Sequence, residues 1–168
     1  MIDVEKMPYR KNVGIVLINK ENKIFVGHRM SVEPDDKYGW QMPQGGIEDG
    51  ENPLNSAYRE LLEETGVAEN KTEFLSECKD EITYDFPMDL IIKKQGTYMG
   101  QFRGQSQTWF ALKFIGNYDD INLHATSEEQ EFRQFSWEDE NFIMEHCISW
   151  RVETYKQVFN WLHSEKII

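Results

Sequence analysis

The chain has 168 residues, 39% of them hydrophobic and 29% charged, a composition that supports a buried core. Its net charge of −12 excludes a protein that grips long nucleic acid through many phosphates, because that affinity comes from clustered Lys and Arg. The same charge leaves room for a protein that reads only a nucleic-acid end, and for carboxylates that wait for divalent cations. The length predicts one domain over 1–168. Met1–Lys6 lacks the apolar stretch of a secretory signal. The longest apolar run, Ile15–Ile18, falls far short of the ~20 residues that span a bilayer. Cys78 and Cys147 read as reduced thiols of a cytoplasmic protein, and no Cys/His spacing points to zinc.

In chain order, Val13–Ile18 is apolar and β-rich, Asn19–Asn22 is a turn, and Lys23–His28 is a returning strand. Ser31–Gly39 is polar, carries Pro34, and reads as a loop. Trp40–Gly46 is a short extended piece that enters a glycine-rich turn. A helix follows, with Asn52 as N-cap, Pro53 at its first position and Gly66 just past its end. Leu54, Tyr58, Leu61, Leu62 and Thr65 are predicted to share its apolar face. Strands are predicted at Glu73–Ser76, Glu81–Phe86, Thr108–Ile115 and Phe132–Trp137, with a polar loop over Lys93–Gln105. Ile148, Val152, Tyr155, Phe159 and Leu162 repeat at steps of three and four and predict a C-terminal amphipathic helix. The sum is an α/β fold with a mixed β-sheet between helices.

The first helix carries the chemistry. Arg59-Glu60-Leu61-Leu62-Glu63-Glu64-Thr65-Gly66-Val67 projects Glu60, Glu63 and Glu64 within an arc of about 100°. Like charges at these spacings destabilise a helix by a few tenths of a kcal/mol each. A hard divalent cation offsets that repulsion, since Mg²⁺ takes carboxylate, water and phosphate oxygens together. Arg59 stands four residues before Glu63 and is predicted to pair with it.

An isolated run of glutamates on a helix is usually solvated surface. Here the wider pattern is Gly45-x5-Glu51-x7-Arg59-Glu60-Leu61-x-Glu63-Glu64-x-Gly66-Val67. A chance match to that pattern is of order one in a million in a chain this short. The pattern resembles the Nudix box. That resemblance implies an α/β/α sandwich that binds Mg²⁺ or Mn²⁺ and hydrolyses a phosphoanhydride bond in a nucleotide-like substrate. It implies metal ligation by Glu60, Glu63 and Glu64, with the Gly45 carbonyl as a further ligand. It also implies that Glu60, helped by Arg59, activates water, and that Glu51 and Gly66 are structural.

The flanks narrow the resemblance. Tyr9-Arg10-x-Asn12-Val13-Gly14, Trp40-Gln41-Met42-Pro43-Gln44-Gly45-Gly46, Tyr84-Asp85-Phe86-Pro87, Gly104-Gln105-x-Gln107-x-Trp109-Phe110 and Ser149-Trp150-Arg151 resemble bacterial RNA pyrophosphohydrolases and related dinucleoside polyphosphate hydrolases. By that resemblance Glu131 completes the metal site, and Arg10, Arg29 and Arg151 contact phosphates, as suits a bidentate guanidinium. Trp150 stacks on a terminal base or packs the C-terminal helix. The leading expectation is hydrolysis at the 5′ end of RNA, and the alternative is hydrolysis of diadenosine polyphosphates. A non-catalytic binding module is disfavoured, because every box carboxylate is present. Neither membrane nor DNA is an expected partner.

Overall fold

The computed structural model describes residues 3–126 and 129–168, so Met1 and Ile2 of the N-terminal reading lie outside it. Eight strands form one mixed sheet. They are β1 (Tyr9–Ile18), β2 (Ile24–Arg29), β3 (Trp40–Gln41), β4 (Gln44–Gly46), β5 (Thr72–Glu77), β6 (Ile82–Asp85), β7 (Gly104–Phe114) and β8 (Phe132–Glu138). β1 and β7 run parallel down the centre, and the other pairings are antiparallel. Four helices accompany the sheet: α1 (Pro53–Thr65), α2 (Met88–Lys93), α3 (Glu140–His146) and α4 (Val152–Ser164).

Side-chain alternation along β1 and β7 builds two cores. Val13, Ile15 and Leu17 of β1 join Phe110 and Leu112 of β7 against Ala57 and Leu61 of α1. Val16 and Ile18 join Trp109 and Ala111 against Ile143 of α3 and Tyr155, Val158, Phe159 and Leu162 of α4. The sheet is thus sandwiched between α1 and the α3–α4 pair, the layer order expected from the sequence.

α1 begins and ends as its sequence demands. The Asn52 side chain accepts a hydrogen bond from Leu54 N at 2.9 Å. Gly66 caps the far end at φ 74°, where its missing side chain also leaves room for the Asn122 carbonyl. Leu62 departs from the expected apolar face and is 40% exposed. The buried arc centres on Ala57, Leu61 and Thr65, and one step beyond Leu61 turns about 100° away from it.

Other differences are of extent. β1 begins at Tyr9 and β7 at Gly104, each four residues before the predicted start. The polar or glycine-bearing beginnings of both strands hide their parallel ladder from Tyr9↔Gly104 to Ile18↔Lys113. α2 and α3 went unpredicted, being too short at six and seven residues to show periodicity. Ile148 precedes a 3-10 turn, Ser149–Arg151, so the C-terminal helix starts at Val152.

One irregularity of the sheet positions the site. β1 pairs with β2 only at Ile18↔Ile24, then with β4 at Asn12, Val13 and Gly14. Between these contacts the strands splay, and groups from both helical layers line one opening.

Candidate active site

A cavity of about 610 Å³ occupies this opening. Glu60 and Glu64 reach it from α1, Gly45 from β4, Arg10 and Asn12 from β1, and Arg29 from β2. Glu131 enters from just before β8, and Trp150 and Arg151 from the turn before α4. Nine residues separated by as many as 141 positions therefore meet in one place. Arg59 and Glu63 do not line the cavity.

Arg59 instead organises the box. Its Nε and Nη2 donate to the two Glu51 oxygens at 3.0 and 2.9 Å, and Nη2 also donates to the Gly46 carbonyl at 2.8 Å. Its Nη1 donates to Glu60 at 2.8 Å and to Glu63 at 3.3 Å. The expected Arg59–Glu63 pair forms, but it is the longest of these contacts. Bidentate geometry makes Glu51 the principal partner, so Glu51 is structural in a specific sense: it aims the guanidinium that aims Glu60.

The Arg59 hydrogen bonds, aided by Ser56, hold the Glu51 carboxyl down from 4.5 to about 2. A lowered folded-state pKa contributes stability that is complete above the ordinary value and lost as pH falls through the folded one. Thermal unfolding followed from pH 5 to pH 2 is therefore expected to show a falling limb that flattens in Glu51→Gln. An unchanged limb would remove Glu51 from this role.

The cavity carboxylates behave oppositely. Burial, followed by the charges of Glu131 and Glu60, pushes the Glu64 carboxyl well above the usual range. Its one backbone donor, Gln44 N–H at 3.1 Å, offsets only part of this. Burial also raises Glu60, against the opposing pull of Arg59. The Glu60 carboxyl lies against Gly45 so closely that a Cβ there would stand 1.8 Å from its Cδ. Glycine at this position lets the backbone and the carboxylate share one spot.

These observations test the fit of a cation. Glu60, Glu64, Glu131 and the Gly45 carbonyl offer only oxygen, and the crowding of like charge that raises Glu60 and Glu64 is what a hard divalent ion relieves. The donors fit. Among the described residues no three acidic, His or Cys side chains stand close enough together to hold an ion as they are.

The cavity is also lined by cations. Arg10, Arg29, Lys93, Lys94 and Arg151 all line the cavity, gathering five of the 18 basic residues of an acidic chain. Arg151 is 6% exposed, and its Nε and Nη1 have no hydrogen-bond partner. Arg29 Nε is likewise unsatisfied, with Glu131 at 3.5 Å. Burial, then the charge of Arg151, lowers the Arg29 pKa, which marks two guanidinium groups facing a common space. Buried cations without anions are costly, and an anionic group of the ligand satisfies both.

Sequence reasoning missed part of this lining. α2 brings Leu90 and Lys93 to the cavity, with Lys94 just beyond. Tyr84, Phe86, Asn12, Gln41, Gln44 and Gln105 also line it. A signal existed for the amides: Gln105 and Gln107 alternate with Trp109 on one face of a central strand, where polar residues are out of place without a task.

Comparison with known proteins agrees with the geometry. Residues 8–151 match the NUDIX domain family. An RNA pyrophosphohydrolase of Dinoroseobacter shibae is 39% identical, over 94% of each chain. One from Sphingopyxis alaskensis is 42% identical, over 83% of each. The E. coli dihydroneopterin triphosphate pyrophosphohydrolase shares the fold with a TM-score of 0.65 at 18% identity, over 89% of this chain and 96% of that one. The carboxylate helix, the glycine that abuts its Glu60 side chain and the likeness to such relatives over most of their length together place this chain in the Nudix hydrolase family.

Proposed function

We propose that the protein hydrolyses the 5′-terminal triphosphate or diphosphate of RNA to a 5′-monophosphate, releasing pyrophosphate or orthophosphate and priming the RNA for decay. The observation that carries this reading is the cavity lined by both carboxylates and arginines, with buried guanidinium N–H groups left unsatisfied. RNA as the substrate is supported by relatives near 40% identity that bear the name RNA pyrophosphohydrolase. The net charge of −12 fits a protein that engages an RNA end rather than a long strand or a DNA duplex.

Arg10, Arg29 and Arg151 bind the phosphate chain, and Trp150, half-buried at the cavity, stacks on the terminal base. Stacking of this kind contributes roughly 1–3 kcal/mol. Glu60, oriented by Arg59, accepts the proton of the attacking water. Glu60, Glu64, Glu131 and the Gly45 carbonyl would hold Mg²⁺ or Mn²⁺, which supplies charge neutralisation on the phosphoryl oxygens. Glu63, held by Arg59 beside them, would be a further ligand. Residues 1–168 act as one domain, and the place of action is the cytoplasm. Among the described residues no helix is long and apolar enough to cross a membrane.

Purified protein with Mg²⁺ or Mn²⁺ is expected to convert 5′-triphosphorylated RNA to monophosphorylated RNA, with a higher kcat/KM than on diadenosine tetraphosphate. Failure to form monophosphorylated RNA would overturn the reading. A higher kcat/KM on the dinucleotide would transfer the assignment to that substrate.

A further inference from the structure

Behind the cavity wall lies a buried amide network that the proposed chemistry does not use. Gln107 Nε2 donates to Asn12 Oδ1 at 2.7 Å, to Gln44 Oε1 at 2.9 Å and to Gln105 Oε1 at 3.2 Å. Gln107 itself is fully buried and does not line the cavity, whereas its three acceptors do. Strand register builds this cluster: Asn12 stands opposite Gln107 across β1 and β7, and Gln44 lies two residues further along β1's other edge, on β4 opposite Gly14.

An amide side chain can point either end either way, so something must fix the direction of each. Trp109 does so. Its indole N–H can only donate, and it donates to Gln107 Oε1 at 3.2 Å. The indole cannot swing away, because it lies against Gly14, where a Cβ would stand 2.4 Å from the ring, and it meets the Tyr155 ring edge-on at 6.0 Å. With Gln107 Oε1 taken, its two N–H groups face the neighbouring amides, closest to Asn12 and Gln44, with Gln105 as the longer, shared contact. Their oxygens therefore turn inward, and their NH₂ groups turn away from Gln107. Asn12 is 1% exposed, and its Nδ2 has no hydrogen-bond partner. A second donor, the Tyr84 hydroxyl at 2.7 Å from Gln105 Oε1, reinforces the same polarity.

We infer that Gln107, locked by Trp109, is a positioning residue that sets the cavity floor to present N–H donors, from Gln44 and Gln105, to the phosphate oxygens of the ligand, with the buried Asn12 amide holding the network from behind. The inference deepens the proposed function, since it names how the uncharged wall of that site recognises a polyphosphate. Neutral donors already held in place bind such oxygens without the cost of reorienting on binding.

The polarity argument distinguishes two near-isosteric variants. Gln107→Met removes the donor and leaves Asn12 and Gln44 free to turn, while Gln105 keeps only its Tyr84 donor. Gln107→Glu offers only acceptors, so the amides reverse and present oxygens to the ligand. A third variant, Trp109→Phe, unlocks Gln107 without adding charge. The probe is methylenediphosphonate, an uncleavable pyrophosphate analogue, measured by calorimetry in the presence of Mg²⁺. Affinity is expected to fall about tenfold in Gln107→Met and in Trp109→Phe, and about a hundredfold in Gln107→Glu, consistent with one and two lost or reversed polar contacts. The side-chain amide NMR signals of Gln44 and Gln105 are expected to move on titration of the parent protein, while that of Gln107 stays.

Equal affinity among folded samples of the parent and all three variants would overturn the inference, as would a floor whose amide signals ignore the probe. A network that serves folding alone predicts lower melting temperatures with affinity per folded molecule unchanged. Because the probe contains no RNA, a failure of the RNA reading leaves this outcome intact, and a failure here leaves RNA hydrolysis standing.

Discussion

Glu60→Gln is expected to lower turnover on 5′-triphosphorylated RNA by at least about 100-fold, the combined scale of a lost general base and a weakened metal ligand. The substitution keeps the side chain's volume in the tight space against Gly45. It also leaves Arg59 anchored through both oxygens of Glu51, so the glycine-rich turn and helix hold their relation. Loss of activity should therefore come without unfolding, read as kcat beside a thermal melt. The melt itself is informative, because burial disfavours the ionised form of Glu60 and a neutral amide removes that burden. A variant that retains a tenth or more of parental turnover would refute the role given to Glu60.

Arg151→Met is expected to separate binding from stability. The guanidinium is buried, and its Nε and Nη1 find no partner within the protein. Such a charge contributes little to an empty fold and much to a complex in which an anion completes it. Removing one member of a buried charge pair costs roughly 2–5 kcal/mol in binding, so KM should rise at least about 30-fold. The melting temperature without ligand should stay within a few degrees of the parent or exceed it. Methionine preserves most of the packing beside Tyr84, whose ring centre lies 6.0 Å from the guanidinium carbon. The opposite pattern, with KM held and the melting temperature lowered by ten degrees or more, would make Arg151 a structural residue.

Both expectations concern groups that the sequence located with unequal success. Glu60 could be placed almost completely, because its neighbours on the helix are set by a fixed angular step and its caps are local. Arg151 could be aligned with a family position, but nothing in Ser149-Trp150-Arg151 announces that the side chain turns inward. Its burial follows from the 3-10 turn ahead of α4 and from the way α4 packs on Trp109. Lys93 and Lys94 were legible only as loop residues, since α2 is a single short turn-and-a-half held by the buried Ile91.

What the sequence determined alone is therefore what depends on neighbours a few residues apart. The ends of α1, the separation of its carboxylates from Leu61, and the apolar run Val13–Ile18 of β1 are of this kind. Tertiary structure decided everything that needs two distant segments to meet. The splay of β1 between β2 and β4 brought α1 and the turn before α4 to one cavity. It gave Arg59 a bidentate partner in Glu51 beside the longer contact to Glu63, and it turned Leu62 outward. The direction of each buried amide depends on it most fully. An amide is nearly symmetric in shape, and the groups that tell its two ends apart come largely from other strands: Asn12 and Gln44 around Gln107, and the Tyr84 hydroxyl at Gln105.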